Sequence, residues 1–312
     1  MYKRLRFVSK PFVVDFLTAS KEEEEMLPTI DLGFVEISLY GPIFMIGAVI
    51  AIILIRKLAP SAGVDKWDAV YAVIYGLIGL LIGAKLLYLI TRLPAIVVRF
   101  DAFVELIKKD FTAAINFSLG GMVFYGGLIG FALGVIRYCR HFRIPVWGPV
   151  DLYTPFLPLV HGFGRIGCFF AGCCYGIEYD GPLSVRFPYN KFVSKLDEVP
   201  RFPVQLLEAG LNFICFAVLI TLMRKELKRD GSERKLKQGQ LCGIYLTYYL
   251  VIRTALEFLR GDEIRGKIGF LSTSQIISIL LIIPAVILLR AKNREKVFYV
   301  PETTYELSKT QV

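Results

Sequence analysis

Apolar runs of about 20 residues, broken by short basic or polar stretches, recur along the chain and predict an all-α polytopic membrane protein. About seven transmembrane helices are expected, over 34–55, 69–90, 119–138, 151–170, 203–223, 240–258 and 272–289. The stretches outside them have their own patterns. Residues 1–33 read as a polar N-terminal arm with Glu22, Glu23, Glu24 and Glu25 in one run. Residues 92–117 mix charge with Leu106, Ile107 and Phe111 at spacings that suit an amphipathic interfacial helix. Residues 175–202, with Gly181-Pro182 and the alternation Leu183-Ser184-Val185-Arg186-Phe187-Pro188, suit a small β-containing head on the outer face. The segment 34–291 is thus one seven-helix domain containing the arm 92–117 and the head 175–202, and 292–312 is a tail.

Charge sets the expected orientation. The loops after the first, third, fifth and seventh runs hold Arg56 and Lys57; Arg137, Arg140 and Arg143; Arg224, Lys225, Lys228 and Arg229; and Arg290, Lys292 and Arg294. Alternate basic loops place the N-terminus outside and the C-terminus inside; Lys3, Arg4, Arg6 and Lys10 lie too far from the first run to weigh against this. With 55% of 312 residues hydrophobic and 21% charged, the chain has too little polar surface for a soluble protein of its length. The net charge of +10 sits beside apolar runs, where it faces anionic lipid, so nucleic acid is not an expected partner. No internal repeat is evident, which argues against a transporter built from repeated halves. The basic start is followed by an apolar run that Asp15 interrupts before any small-residue cleavage site, so no cleaved signal peptide is expected.

The sharpest conflict between burial and polarity lies at His161 to Gly176, which reads H-G-F-G-R-I-G-C-F-F-A-G-C-C-Y-G. His161, Arg165 and Cys168 are four and three residues apart and share one helical face, while Gly162, Gly164 and Gly167 admit a second backbone or a ligand head group. A charge at membrane depth is costly by about 2.5–3.5 kcal/mol on insertion scales, so Arg165 faces a bundle interior or a wet cavity and points to function. The sixth run repeats the anomaly: Tyr245, Tyr249, Arg253, Glu257 and Arg260 form a polar stripe. Glu257 can neutralise Arg253, and an arginine excess then calls for an anion, for which the planar guanidinium fork suits a phosphodiester. Gly126-Gly127, after Tyr125, serves either head-group approach or close helix packing.

Six cysteines, Cys139, Cys168, Cys173, Cys174, Cys215 and Cys242, lack the spacing of a secreted disulfide scaffold and read mostly as free thiols. Adjacent Cys173-Cys174 and a gap of five from Cys168 are not the paired C-x-x-C of structural zinc sites, so no metal or other cofactor is expected.

Several stretches together resemble the prolipoprotein diacylglyceryl transferase family: Tyr40-Gly41, Gly83-Ala84-Lys85, Tyr125-Gly126-Gly127-Leu128-Ile129-Gly130, the Gly164-Arg165-x-Gly167 core ending at Gly176, Gln205-Leu206-Leu207-Glu208, and Tyr249-x-x-x-Arg253-x-x-x-Glu257-Phe258-x-Arg260. Each is weak alone; their order over nearly the whole chain is specific. The resemblance implies a multi-pass enzyme of the bacterial inner membrane that moves the diacylglyceryl group of phosphatidylglycerol to the lipobox cysteine thiol of a preprolipoprotein signal peptide. A thioether forms and glycerol phosphate leaves. Arg165 and Arg253 match the family's central arginine pair. The family commonly carries histidine, asparagine and glutamate where this chain has Tyr125, Cys168 and Cys173, and arginine at Lys85. The expected catalytic residues are accordingly Arg165, Arg253, Tyr125 as a head-group hydrogen-bonder and His161 as a base for the thiol. Phosphatidylglycerol is expected to meet Arg165, Gly126, Gly127, Tyr40, Tyr249, Glu257, Arg260 and Cys168, in a pocket between the third, fourth and sixth runs. The rival readings are a non-catalytic lipid-binding or transport protein of the same fold and a thiol redox protein using Cys173 and Cys174.

Overall fold

A computed structural model describes residues 29–31, 36–187, 199–261, 267–268, 271–290 and 294–298. The described chain is predominantly helical. A two-stranded antiparallel pair, β1 (Thr29–Asp31) and β2 (Glu36–Ser38), precedes α1 (Tyr40–Leu58), and a short 3-10 turn, Pro60–Ala62, leads to α2 (Lys66–Val98). Then come α3 (Phe100–Lys109), α4 (Phe111–Leu119), α5 (Phe124–His141), α6 (Trp147–Tyr153), α7 (Phe156–Phe170), α8 (Val204–Leu227) and α9 (Gln240–Glu257). A second small pair, β3 (Lys267–Ile268) with β4 (Leu271–Ser272), introduces α10 (Thr273–Leu289).

Among the described residues, α1, α2 and α8 are long and apolar enough to cross a membrane, and α7 and the segment Ser278–Leu289 of α10 are shorter apolar helices. Large apolar side chains stand outward along them, including Ile46, Ile53, Ile78, Leu81, Ile214 and Ile283, each more than half exposed. That is the surface of a helical membrane protein, where lipid replaces water as the outer solvent.

The elements depart from the expected runs in physically readable ways. Residues 36–39 are strand and turn, so the first helix starts at Tyr40 rather than at 34. The second run is one helix of 33 residues that continues through Pro94. Residues 120–123 are not helical, and α5 begins at Phe124. The run 151–170 is divided at Thr154-Pro155, since proline has no amide hydrogen to continue the first helix and suits the start of the next. The run 240–258 matches α9 within one residue.

Two compact units are present. The smaller, Leu80–Ile129 among the described residues, contains the end of α2, the start of α5 and the expected arm. Here Leu106 of α3 is buried and Ile107 exposed, and Phe111, at the start of α4, is exposed. The backbone of α5 comes close to α2: a Cβ on Gly126 would lie 2.3 Å from the Gly83 carbonyl oxygen and one on Gly127 3.2 Å from Leu80.

The larger unit, residues 26–79 and 130–312, holds the main core. It is centred on Ala51, Ile55, Leu152, Phe156, Leu159, Cys215, Leu219, Met223 and Leu241, with α7 packed against both α1 and α8 and α10 against α9. Glycines permit the contacts: Gly47 leaves room for the Phe163 ring and Gly162 for the Phe213 ring. The basic helix ends are tied together. Glu226 pairs with Arg229 and accepts the amides of Lys235 and Leu236 at 2.7 and 3.1 Å; buried Asp151 accepts the Gly239 amide at 2.7 Å. Residues 294–298 pack there too, with Val297 and Phe298 buried and Arg294 stacked 4.3 Å over Trp147. Within 175–202, Gly176 bridges Arg260, and Glu178 and Val185 bridge Arg201. The expected alternation thus yields isolated bridges among the described residues rather than a strand, and Pro188 lies outside them.

Candidate functional site

At the end of the larger unit opposite the basic loops, four helix termini converge: the start of α1, the end of α7, the start of α8 and the end of α9. Each contributes polar groups that its sequence spacing puts on an inward face.

On α7, His161 and Arg165 lie one turn apart, and the Arg165 Nε–H donates to His161 Nε2 at 3.1 Å. The same Nε lies 3.0 Å from Glu208 Oε1, and His161 Nε2 lies 3.5 Å from that oxygen. Across the carboxylate, Arg260 Nη1 lies 3.9 Å from Glu208 Oε2. Glu208, only 2% exposed, thus holds two guanidinium groups from α7 and from just beyond α9. Arg253, 4% exposed, pairs along α9 with Glu257 Oε2 at 2.7 Å. Among the described residues of this cluster, three arginines meet two carboxylates. The balance is cationic and sits largely out of water, where charge interactions are strong.

The walls are aromatic and backbone. The Tyr249 ring lies 6.2 Å from the His161 ring and 6.3 Å from that of Tyr245 along α9. Tyr40, at the first position of α1, lies over α7, and a Cβ on Gly167 would meet its Cα and carbonyl oxygen at 3.2 Å. A Cβ on Gly164 would come 4.0 Å from the Tyr40 hydroxyl, so the α7 glycines admit α1 beside Arg165.

Beyond α7 the chain turns back. The Cys173 amide donates to the Cys168 carbonyl at 3.1 Å, and Gly172 and Cys174 adopt left-handed backbone angles, φ 63° and 58°. This turn gathers Cys168, Cys173 and Cys174, whose sulfurs all lie within 4.8 Å of one another and are not in disulfides. Three sulfurs this close could hold a metal ion, although their spacing in the sequence is not the paired C-x-x-C of structural zinc sites. Gln205, fully buried, pins the turn to α8 by donating from Nε2 to the Cys173 carbonyl at 2.8 Å.

Arg165, His161, Cys168, Tyr40, Tyr249, Arg253, Glu257 and Arg260 thus all belong to the larger unit, and its fold groups them. Tyr125, Gly126 and Gly127 belong to the smaller unit, where both glycines serve the close packing of α5 on α2. His161 Nε2 accepts from the Arg165 Nε–H and so links the ring to the guanidinium. Sequence reasoning passed over Gln205, Glu208 and Asn212 as site residues. All three are buried on α8, and Asn212 Nδ2 donates to the Glu208 carbonyl at 2.8 Å. Their spacing of three and four residues was the available signal: a polar stripe on an apolar helix, as on α9.

A helical protein with a lipid-compatible exterior and a buried, net cationic cluster near one end is a membrane protein equipped to hold an anion. Residues 28–291 match the family model of prolipoprotein diacylglyceryl transferase. The chain belongs to the prolipoprotein diacylglyceryl transferase family. It is 35% identical over 245 residues to the phosphatidylglycerol–prolipoprotein diacylglyceryl transferase of Clostridium tetani, covering 78% of this chain and 88% of that one. It is 33% identical over 249 residues to transferase 2 of Clostridium perfringens, covering 80% and 88%, and 28% identical over 297 residues to the Proteus mirabilis transferase, covering 88% and 94%.

Proposed function

We propose that this protein transfers the diacylglyceryl group of phosphatidylglycerol to the lipobox cysteine thiol of a preprolipoprotein signal peptide, as a seven-span protein of the bacterial inner membrane. Its N-terminus lies outside and its C-terminus inside. The acceptor sulfur attacks the glyceryl carbon that bears the phosphate, the carbon–oxygen bond breaks, and glycerol phosphate leaves with the bonding pair. Negative charge grows on the departing oxygen. Cations already oriented in a water-poor site stabilise that charge without reorganising during the reaction.

The observation that supports this reading best is the pairing of Arg165 and Arg260 on one buried carboxylate beside the closed Arg253–Glu257 pair. Glu208 and His161 aim Arg165 through Nε, which leaves its terminal nitrogens as the fork for a phosphodiester. Arg253 is the second phosphate-handling arginine, with Arg260 and Glu257 setting the local field. Tyr40, Tyr249 and Cys168 line the head-group site. The substrates named for the relatives, phosphatidylglycerol and prolipoprotein, fit this chemistry.

The test is transfer from labelled phosphatidylglycerol to a lipobox peptide by the purified protein. Peptide-dependent release of glycerol phosphate is expected, with Arg165→Ala lowering kcat by about 10²–10³-fold. A folded wild type that binds phosphatidylglycerol yet transfers nothing would establish the non-catalytic alternative.

A further inference from the structure

The turn after α7 joins three sulfurs to the arginine cluster. Cys168 stands one helical turn beyond Arg165, and Gln205 holds the Cys173 carbonyl one turn before Glu208 on α8. The thiol trio and the guanidinium pair therefore share one frame. Arg165 lies within electrostatic reach of Cys168 and Cys174, and Arg260 within reach of Cys174.

A disulfide would account for two sulfurs and leave the third. A non-glycine residue held in the left-handed region, as Cys174 is, costs on the order of 1 kcal/mol, and here the turn's outcome is convergence of all three thiols. Sulfurs each about 2.3 Å from one tetrahedral zinc ion lie about 3.8 Å apart, so the trio closes on such an ion with shifts of about 1 Å. Thiolates are soft donors that favour a thiophilic ion, and neighbouring guanidinium groups offset the charge three of them carry. Three protein ligands are one short of a closed structural site and match a catalytic one, which keeps its fourth position for a reactant. The three cysteines are each partly exposed.

We propose that Cys168, Cys173 and Cys174 bind a zinc ion whose fourth position takes the acceptor cysteine of the peptide. This inference rests on the transferase reading above and assigns the activation of its nucleophile. On binding, the acceptor thiol gives up its proton to solvent and coordinates as thiolate, because a metal-bound thiol is deprotonated at neutral pH. Its sulfur forms the new bond to the glyceryl carbon, while the carbon–oxygen bond breaks and its electron pair leaves on glycerol phosphate beside Arg165. The neutral thioether is a weak ligand and departs, which reopens the position. No oxidant or reductant is consumed.

The experiment is elemental analysis of the full chain purified in detergent under reducing conditions, followed by cobalt substitution. About one zinc ion per chain is expected, falling below about a tenth of that in Cys173→Ser and Cys174→Ser. In the cobalt form, sulfur-to-metal charge-transfer and ligand-field bands of a tetrahedral site should shift on addition of a lipobox peptide and stay fixed with the same peptide carrying serine. Unchanged melting of the serine variants in detergent shows that metal loss is not unfolding; if they do not fold, chelator-stripped wild type replaces them. Three free thiols with no bound zinc, or a disulfide among them, overturns the site. Bound zinc with a spectrum indifferent to the cysteine peptide overturns the acceptor role and leaves a structural ion. Phosphatidylglycerol binding by Arg165→Ala and wild type is measured in parallel, so loss of the lipid reading is told apart from loss of the metal reading.

Discussion

At Glu208 one carboxylate answers to two guanidinium groups, with its oxygens 3.0 Å from Arg165 Nε and 3.9 Å from Arg260 Nη1. Removing its charge leaves two buried cations on a neutral amide, and breaking a buried pair costs about 3–5 kcal/mol. Glu208→Gln keeps the shape, so the expected outcome is a lower denaturation midpoint in detergent together with kcat reduced by about 10²-fold. Because Arg165 loses its aim rather than its charge, KM for phosphatidylglycerol should move less than kcat. A raised KM with kcat unchanged would mean that Glu208 only maintains lipid affinity. The arginines were legible in the sequence because a charge in an apolar run is conspicuous. Glu208 was harder to read, because only the fold brings Arg165 and Arg260 to it. The gathering of the three sulfurs was not legible in the sequence, because it depends on the turn through Gly172 and Cys174.

At the scale of elements, the site depends on α7 lying flush between α1 and α8. Gly162 permits one contact, since a Cβ there would sit 2.7 Å from the Phe213 ring, and Gly47 permits the other, since a Cβ there would sit 2.6 Å from Phe163. Overpacking a fitted contact costs about 1–3 kcal/mol. Gly162→Ala is therefore expected to lower the thermal midpoint, and Phe213→Leu, harmful alone, should recover part of that loss in the double variant. A thermal-melting double-mutant cycle reads the coupling directly, and strict additivity would show that the ring is free to move away. Hydrophobic runs revealed α8, α9 and α10 to within a few residues because their ends coincide with basic residues or prolines. They overran the break at Thr154-Pro155, where an apolar pattern continues across two short helices, and they missed the strand at 36–38 for the same reason.

On the scale of the whole molecule, the larger unit separates its two ends by chemistry. One end gathers the basic termini of α1 and α8 with the start of α9, tied by Asp151 to Gly239 and by Glu226 to its own loop. The other gathers the arginine–carboxylate cluster, the thiols and the bridges at Gly176 and Arg201. Basic loops are retained on the cytoplasmic side, so the site should lie toward the outer face of the inner membrane, where a signal peptide emerging across the bilayer presents its cysteine. Two exposed positions report the ends: Ser232, in the turn Gly231–Glu233, and Leu183, 84% exposed in the head. With a membrane-impermeant maleimide, and wild type subtracted for its native thiols, Leu183→Cys should label in intact spheroplasts and Ser232→Cys only in inverted vesicles. The reverse pattern would turn the protein over in the membrane and place the site inside. Labelling of both from one side would remove the odd number of crossings between them and with it the separation of the basic end from the reactive one.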